Sequence, residues 1–505
     1  MVADRQIDPE FRALPLARLA DAALGRAREL RAEHADLRVE RILGQMLALR
    51  DGAVSSTADR GVLGLAVRVI VDGTWGFAAT HELTPEAAAA TAERAVQVAR
   101  TLRAVNSEAV TRADEPVYAE ASWVSEYEID PWTVPTEEKI ALLADWSARL
   151  LAADGVDHAD AACPQVKENK FYADLAGTST VQQRVRIEPR FTATAVDRGA
   201  GRFETMRTLA PPAGRGWEYA LGTGWDFDAE LAEVPELLAG KMKAPTVEPG
   251  RYDLVIDPTN LWLTIHESVG HATEYDRAIG YEAAYAGTSF ATPDQLGSLR
   301  YGSELMHVTG DRTVPHGLAT IGYDDDGVAT TEWDLVRDGV LVGYQLDRTF
   351  APRLGLDRSN GCAFADSPQH VPIQRMANVS LRPDPRRDTT LDELIGGVRK
   401  GIYVVGDKSW SIDMQRYNFQ FTGQRFFAIE NGTLAGQLRD VAYQATTTEF
   451  WGSLRGLGGP SSWLLSGALN CGKAQPGQIA AVSHGCPPAL FEQVSVLNTA
   501  AEAGR

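Results

Sequence analysis

The sequence is poor in cysteine, and this shortage excludes one class of protein. Four cysteines, Cys163, Cys362, Cys471 and Cys486, are too few for a scaffold of 505 residues held by disulfides. We interpret each of them first as a small buried apolar residue. The chain is long enough to bury about three quarters of its unfolded surface, so its core needs no disulfide to stabilise it.

Positive charge and long apolar runs are also scarce. Lys and Arg number 49 against 68 Asp and Glu, which gives a net charge of −19 without a dense basic run. This balance argues against general nucleic-acid binding. No apolar run approaches the roughly 18 residues of a membrane span, and the first residues lack the pattern of a signal peptide. We therefore expect a cytoplasmic protein that binds neither nucleic acid nor membrane.

The first half of the chain combines helical and strand-like patterns. Apolar residues recur at helical spacing, or cap signals precede them, in four segments. Between these helices the pattern favours strands. The predicted helices cover 14–33, 84–102, 136–150 and 228–242, and the predicted strand regions cover 37–49, 62–79 and 157–198.

A boundary follows near residue 245, where two prolines and a glycine interrupt both periodicities within residues 243–250. Beyond residue 300 short strands dominate, with hairpin signals at Asp326-Gly327, Asp338-Gly339 and Asn431-Gly432. We predict an α+β protein with an N-terminal mixed α/β domain over 1–245. A β-rich, largely antiparallel domain over 246–505 follows, and it carries the helix of the motif described next.

One motif could carry chemistry: His266-Glu267-x-x-x-His271, on a helix that Asp257 and Pro258 begin. Zinc proteases usually space two histidines four residues apart, with glutamate as general base. A spacing of five would turn the imidazoles about 140° apart on an ideal helix. One extra residue in the turn, a π-bulge, would bring them back together, and Gly270 is a plausible place for it.

A catalytic zinc site typically has three protein ligands, and the third must come from elsewhere. The remaining histidines, the cysteines and any carboxylate are candidates, although His81-Glu82 reads as a loop. Cys471 is the most suggestive candidate, because Gly472 would allow close backbone approach and Lys473 would favour the thiolate.

Two other chemistries find little support in the sequence. Residues 467–474 match most of the phosphate-loop pattern, but Ala474 stands where Ser or Thr should hold magnesium. Pro476 and Gly477 then interrupt the helix that should receive the phosphates. No Gly-x-Ser-x-Gly elbow is present, so serine hydrolysis is not indicated.

Three motifs occur in a characteristic order along the chain: His266-Glu267-x-x-x-His271, Gly287-Thr288-Ser289, and Cys471-Gly472-Lys473 followed by Gln475 and Gln478. With these motifs the chain resembles the TldD branch of the TldD/PmbA family of metalloproteases over essentially its whole length. The resemblance implies that His266, His271 and Cys471 bind zinc and that Glu267 acts as the catalytic base. One departure is a tail in which His484 and Cys486 could compete as ligands.

The resemblance also implies a function and an assembly. The expected function is a zinc peptidase that cleaves small or unfolded peptides, in peptide maturation or small-protein turnover. The expected partner is a metal-free PmbA/TldE-like paralogue that encloses the site in a dimer cavity, and a homodimer is the alternative. An edge strand could hold the peptide through main-chain hydrogen bonds. The competing interpretation is a non-catalytic scaffold or regulatory subunit whose metal is structural.

Overall fold

The computed structural model describes residues 6–502. Residues 1–5, part of the segment judged unlike a signal peptide, lie outside the described residues. The helices of the N-terminal half are α1 (Pro9–Arg12), α2 (Leu16–Glu29), α3 (Pro85–Leu102), α4 (Thr136–Leu151) and α5 (Phe227–Lys243). Its strands are β1 (His34–Arg50), β2 (Ala53–Val71), β3 (Thr74–Thr80), β4 (Ala121–Val124), β5 (His158–Asp174), β6 (Ser179–Ile187), β7 (Arg190–Asp197) and β8 (Arg202–Arg207).

These strands form one sheet in the order β3-β2-β1-β5-β6-β4, with β7 beside β5 and β8 beside β7. All pairs are antiparallel except β4 with β6. Side chains alternate between the two faces of a strand. On β1, Leu37 and Val39 join a core with α2 and α3, whereas Arg38 and Glu40 point to the opposite face. The helices therefore cover one face, and the other is charged.

Most N-terminal elements confirm the prediction, since α3 begins at Pro85 after a Thr84 cap and α4 begins at Thr136. The strand region predicted over 62–79 is confirmed as strand, but it contains parts of two strands and its start was placed too late. β2 already begins at Ala53, because the polar residues before 62 pair with β1. Asp72 and Gly73 then turn the chain with positive φ angles of 48° and 67°, and β3 follows as a separate strand.

The second half consists mainly of strands. Its helices are α6 (Pro258–Ile265), α7 (Tyr275–Ala278), α8 (Leu391–Gly396), α9 (Thr447–Gly452) and α10 (Thr499–Glu502). Its strands are β9 (Gly250–Ile256), β10 (Val308–Asp311), β11 (Glu332–Arg337), β12 (Val340–Leu341), β13 (Ala363–Phe364), β14 (Ile373–Gln374), β15 (Asn378–Leu381), β16 (Lys400–Ile412), β17 (Asn418–Glu430), β18 (Thr433–Leu438), β19 (Val441–Thr446), β20 (Leu454–Leu457), β21 (Leu464–Lys473), β22 (Gln478–Cys486) and β23 (Ala489–Asn498).

The principal sheet of this half runs β16-β9-β23-β19-β17, and β17 pairs again with β16, so the strands form a closed ring. Only β9 with β16 is parallel among the ring pairs of the described chain, so the predicted largely antiparallel character is confirmed. The turns at Asp338-Gly339 and Asn431-Gly432 join β11 to β12 and β17 to β18, as predicted. The chain also turns at Asp326-Gly327, but a single antiparallel bridge between Tyr323 and Ala329 flanks this turn in place of two strands, and the Asp324 carboxylate binds its backbone amides.

The two halves meet through a buried layer of charge. Asp325 accepts hydrogen bonds from Arg38, at 3.2 Å, and from Lys170, at 2.8 Å. Asp326 accepts one from Arg68 at 2.5 Å. These acids belong to the second half, whereas the three cations lie on the charged face of the first sheet. A buried charge without its partner costs several kcal/mol, so these pairs fix how the halves are oriented.

Glu168 shows how strongly this layer holds its charges. Burial alone would raise the pKa of its carboxyl, but Arg184, Lys170 and Arg186 outweigh burial and hold that pKa at about 2. Arg184 binds both carboxylate oxygens, at 3.1 and 3.0 Å. The carboxylate is therefore ionised at neutral pH and matched by three cations.

Among residues 6–502, no helix combines the length and the apolar character that crossing a membrane would require. The proposed boundary at residue 245 stays a prediction. It falls between the end of α5 and the start of β9.

The packing of α3 on β3 leads to a prediction about stability. A Cβ atom on Gly76 would lie 2.0 Å from the Ala95 carbonyl oxygen and 2.7 Å from the Ala99 nitrogen. Gly76→Ala should therefore lower the free energy of unfolding by about 2 kcal/mol or more, because backbone atoms must move. Urea or thermal unfolding of the purified protein measures the effect.

Gly44→Ala is the matched control, since Gly44 also lies in a strand but has no atom within 4 Å of an added Cβ. Its stability should stay within about 0.5 kcal/mol of the wild type. Equal stability of the two variants would contradict the close packing of α3.

Candidate metal centre

The motif histidines lie at the end of α6, where the helix changes its winding. The Asp257 carboxylate accepts a hydrogen bond from the Thr259 amide and begins the helix as predicted. The chain then forms a π-helical turn over His266–Gly270, in which the His271 amide donates to the His266 carbonyl oxygen. The expected π-bulge is therefore confirmed, and it brings the two imidazole centroids to 4.6 Å.

Other side chains satisfy the carbonyl groups of this turn. The Tyr301 hydroxyl donates to the Ser268 carbonyl oxygen at 2.5 Å, and the Gln345 amide donates to that of Gly270 at 2.7 Å. Gly270 itself has ordinary helical angles, φ −54° and ψ −60°. A side chain there would lie 2.6 Å from the Met376 sulfur. The deformed turn therefore includes Gly270, as predicted, but glycine is needed there for packing space and not for unusual backbone angles.

The structure brings together the three predicted ligands. The ligand atoms of His266, His271 and Cys471 all lie within 4.8 Å of one another, and all three residues are buried. The Cys471 sulfur lies 3.6 Å from His271 Nε2. Cys471 reaches the histidines from β21, which is bulged between Ala468 and Cys471 and pairs with β22.

Hydrogen bonds fix which nitrogen of each imidazole is free. The Val379 carbonyl can only accept, so His484 donates through Nδ1, at 2.8 Å, and its Nε2 accepts from His266 Nδ1, also at 2.8 Å. His271 Nδ1 donates to Glu274 at 2.9 Å. Both candidate ligands therefore keep a lone pair on Nε2, which is the arrangement that metal binding needs.

The local field favours the protonation states of metal ligands. Burial lowers the pKa of both His266 and His271, which favours the neutral imidazoles. Burial acts against a thiolate at Cys471, but the contact with His271, whose Nε2 can take up the thiol proton, and then Arg375 outweigh it and lower the pKa of the thiol. Metal ligands must be deprotonated, so these shifts suit a cation site.

Two expectations about the neighbourhood of Cys471 were wrong. The Lys473 ammonium does not serve the thiolate, because it binds the carboxylates of Asp276, at 2.7 Å, and Glu274, at 3.3 Å. Gly472 has no atom within 4 Å of an added Cβ, so no backbone approaches it closely.

His484 and Cys486 stand outside the cluster, although both are buried nearby. His484 uses both ring nitrogens, one on Val379 and one on His266. The Cys486 thiol contacts the Pro258 carbonyl oxygen at 3.8 Å. Within residues 6–502, His266, His271 and Cys471 form the one group of histidine, cysteine and carboxylate side chains with the spacing of a metal site.

Glu267 lies between the two histidines in sequence and is buried with them. Its Oε2 accepts a hydrogen bond from Arg416 at 2.6 Å. Sequence reasoning missed Arg416, Glu274 and the supporting contact of His484. Glu274 had a usable signal, since it follows His271 by three residues, whereas Arg416 had none.

The donor set fits a zinc ion. Two neutral imidazole nitrogens and one thiolate are ligands that zinc accepts, and three protein ligands leave a position open for water. Each imidazole has a hydrogen-bond partner on its other nitrogen, as ligating histidines usually do.

Sequence comparisons place the chain among metallopeptidases. The profile of the PmbA/TldA metallopeptidase C-terminal domain matches residues 249–498, and that of PmbA/TldA metallopeptidase domain 1 matches residues 35–99. A metalloprotease of Methanothermobacter thermautotrophicus is 28% identical over 93% of this chain and 97% of its own length. A zinc metalloprotease TldD homolog of Saccharolobus solfataricus is 25% identical over 44% of this chain and 47% of its own length.

Solved structures share the fold. A putative modulator of a DNA gyrase from Thermotoga maritima superposes with a TM-score of 0.75 at 16% identity, over 95% of this chain and all of the other. TldE from Thermococcus kodakarensis superposes with a TM-score of 0.70 at 16% identity, over 95% of this chain and 99% of the other. These likenesses confirm the predicted α+β fold class. With two family profiles matching more than half of its residues, the chain belongs to the TldD/PmbA family of metallopeptidases.

Proposed function

We propose that this chain is the catalytic, TldD-like type of subunit and that it hydrolyses peptide bonds with zinc. The observation that carries the proposal is the convergence of His266, His271 and Cys471, with Glu267 beside the first ligand. In a subunit that binds no metal, two imidazoles that both carry their proton on Nδ1, beside a thiol whose pKa is lowered, would serve no purpose. The zinc-metalloprotease name of one relative supports the choice of metal.

The side chains divide the chemistry between them. His266, His271 and Cys471 would hold a zinc ion, which when bound supplies Lewis-acid polarisation and a more acidic water. Glu267 would take a proton from the attacking water as oxygen adds to the peptide carbonyl, and would pass it to the leaving amine nitrogen. Arg416 holds one oxygen of this carboxylate, which leaves Oε1 for the proton.

The structure offers two features that suit an extended peptide. β21, which carries Cys471, pairs along one edge with β22 and with no other strand among residues 6–502. A peptide could add to its free edge through main-chain hydrogen bonds, with little dependence on sequence. A co-crystallised peptide bound as a helix would contradict this mode. We propose small or unfolded peptides, in maturation or turnover, as the substrate class.

The second feature is a cleft of about 1080 Å³ between the halves. Trp75 lines it from the N-terminal half, and Phe350 and Asp276 line it from the other. Asp276 binds Lys473, which follows Cys471 by two residues on the same strand. The cleft therefore reaches Asp276, a neighbour of the candidate metal centre, although neither the three candidate ligands nor Glu267 lines it.

The first prediction concerns the proposed base. Glu267→Gln should keep equimolar zinc and the native assembly but lower kcat for peptide hydrolysis by about 100-fold or more, because the amide cannot take the proton. Metal analysis and a peptide cleavage assay on the zinc-loaded protein measure both quantities. Unchanged cleavage would refute the peptidase mechanism and favour a scaffold with a structural metal.

The second prediction concerns the third ligand. Cys471→Ala should lower the bound zinc well below one ion per chain, since the two imidazoles alone bind it more weakly. Cys163→Ala is the matched control, because Cys163 is also fully buried but belongs to the core of the N-terminal half. Equimolar zinc in the Cys471 variant would shift the third-ligand role to His484 or Cys486.

The third prediction concerns the assembly. We propose that the chain pairs with a metal-free PmbA/TldE-like paralogue, so that a dimer cavity admits only flexible peptides; the shared fold with TldE supports this. Native mass spectrometry should find a one-to-one heterodimer on co-expression with the paralogue, and peptide cleavage should require both chains. A fully active, zinc-bound homodimer of the 54.7 kDa chain would contradict the proposal.

A further inference from the structure

Arg416 lies at an unusual point of the backbone. It belongs to the turn between β16 and β17 and has a φ of 63°, in the left-handed region that residues other than glycine rarely adopt. The turn is held firmly: the Asp413 carboxylate accepts from the amides of Gln415, Tyr417 and Asn418. The Thr447 hydroxyl also donates to the Arg416 carbonyl oxygen at 2.8 Å. Strained residues held this way are concentrated at functional sites.

The side chain of Arg416 reaches from this turn to Glu267, beside the candidate metal ligands. Its Nη1 donates to Glu267 Oε2 at 2.6 Å, and its Nη2 donates to the Ala286 carbonyl oxygen at 3.1 Å. The side chain is 13% exposed, and that of Glu267 is 6% exposed. The guanidinium is therefore nearly enclosed, and its charge is matched by the proposed base.

The Ala286 carbonyl connects Arg416 to the other side of the site. It also accepts a hydrogen bond from Arg277 Nη1 at 2.5 Å. Arg277 Nε donates to Glu274 at 3.0 Å, and the same carboxylate oxygen accepts from His271 at 2.9 Å. One continuous network thus runs from Glu267 to a candidate metal ligand.

The segment after Ala286 fits closely against the tip of the β16–β17 hairpin. Gly287 has a φ of 88°, and a Cβ atom there would lie 2.0 Å from the Met414 carbonyl oxygen. The Thr288 amide donates to that oxygen at 2.7 Å. The position of the Ala286 carbonyl, and with it that of the Arg416 head, is therefore set by backbone contacts.

A stabilising role alone does not explain this arrangement. A buried ion pair contributes little more than two well-packed apolar side chains would, and here it also coincides with a strained backbone. We infer that Arg416 is a positioning residue for Glu267: it holds Oε2 and keeps Oε1 directed into the site. Nothing among residues 6–502 hydrogen-bonds Oε1, so this oxygen is available for the proton of the attacking water. The inference rests on the proposed peptidase function.

The test compares Arg416→Gln and Arg416→Lys in the zinc-loaded protein, in its native assembly. Arg416→Gln should keep equimolar zinc and a similar KM and should melt somewhat below the wild type, because the buried Glu267 loses its charged partner, while kcat falls about 100-fold because a misplaced carboxylate reacts poorly. Arg416→Lys should recover part of the lost kcat. Methylguanidinium added to Arg416→Ala should also restore part of it. Arg455→Gln removes a half-exposed arginine paired with Glu492 and should leave kcat unchanged.

Three outcomes would overturn the inference. The first is a wild-type kcat in Arg416→Gln. The second is a loss of activity that parallels a loss of zinc or of thermal stability, without recovery by lysine or methylguanidinium, which would make Arg416 merely structural. The third is a crystal structure of Arg416→Gln in which Glu267 has not moved, and this readout needs no activity. Failure of the proposed function is a separate result: a zinc-loaded wild type, with Glu267 in place, that cleaves no peptide.

Discussion

A single backbone hydrogen bond, from the His271 amide to the His266 carbonyl oxygen, decides whether the two imidazoles can bind the same metal ion. With ordinary helical winding, residues five apart point about 140° away from each other. The π-helical turn adds one residue and restores a common face. Because such a turn leaves carbonyl groups without helical partners, Tyr301 and Gln345 must reach in from elsewhere to satisfy them. The metal-site geometry therefore depends on contacts distant in sequence.

The same dependence on distant residues holds for the protonation of the site. A carbonyl on β15 sets the tautomer of His484, and His484 in turn sets that of His266. On the other side, Glu274 sets the tautomer of His271 and is itself held by Arg277 and Lys473. Each candidate imidazole ligand is thus oriented by a neighbour that could not bind the metal itself in this arrangement. The metal-site geometry therefore depends on the positions of the charged residues Glu274, Arg277 and Lys473 as well as on the ligands.

The sequence was sufficient for features that depend on local chemistry. Caps at Thr84 and Asp257 marked helix starts, and the five-residue spacing of the histidines required the bulge that the structure contains. It was not sufficient for features that depend on what packs against a residue. Met376 fills the space beside Gly270, and Asp276 and Glu274 bind Lys473. No sequence pattern near Gly270 or Lys473 predicts these contacts. Cys471 needed the family resemblance, because spacing alone left several candidate ligands open.

The charged layer between the halves has a consequence for how the chain is made. The N-terminal half leaves the ribosome first, so its sheet can form before the second half has been made. Its sheet then presents Arg38, Arg68 and Lys170 to water, on a face that an ordinary domain contact would make apolar. A hydrated, charged face does not promote aggregation while the second half is being synthesised. The arriving Asp325 and Asp326 then select one docking geometry, because each acid must meet a cation already in place.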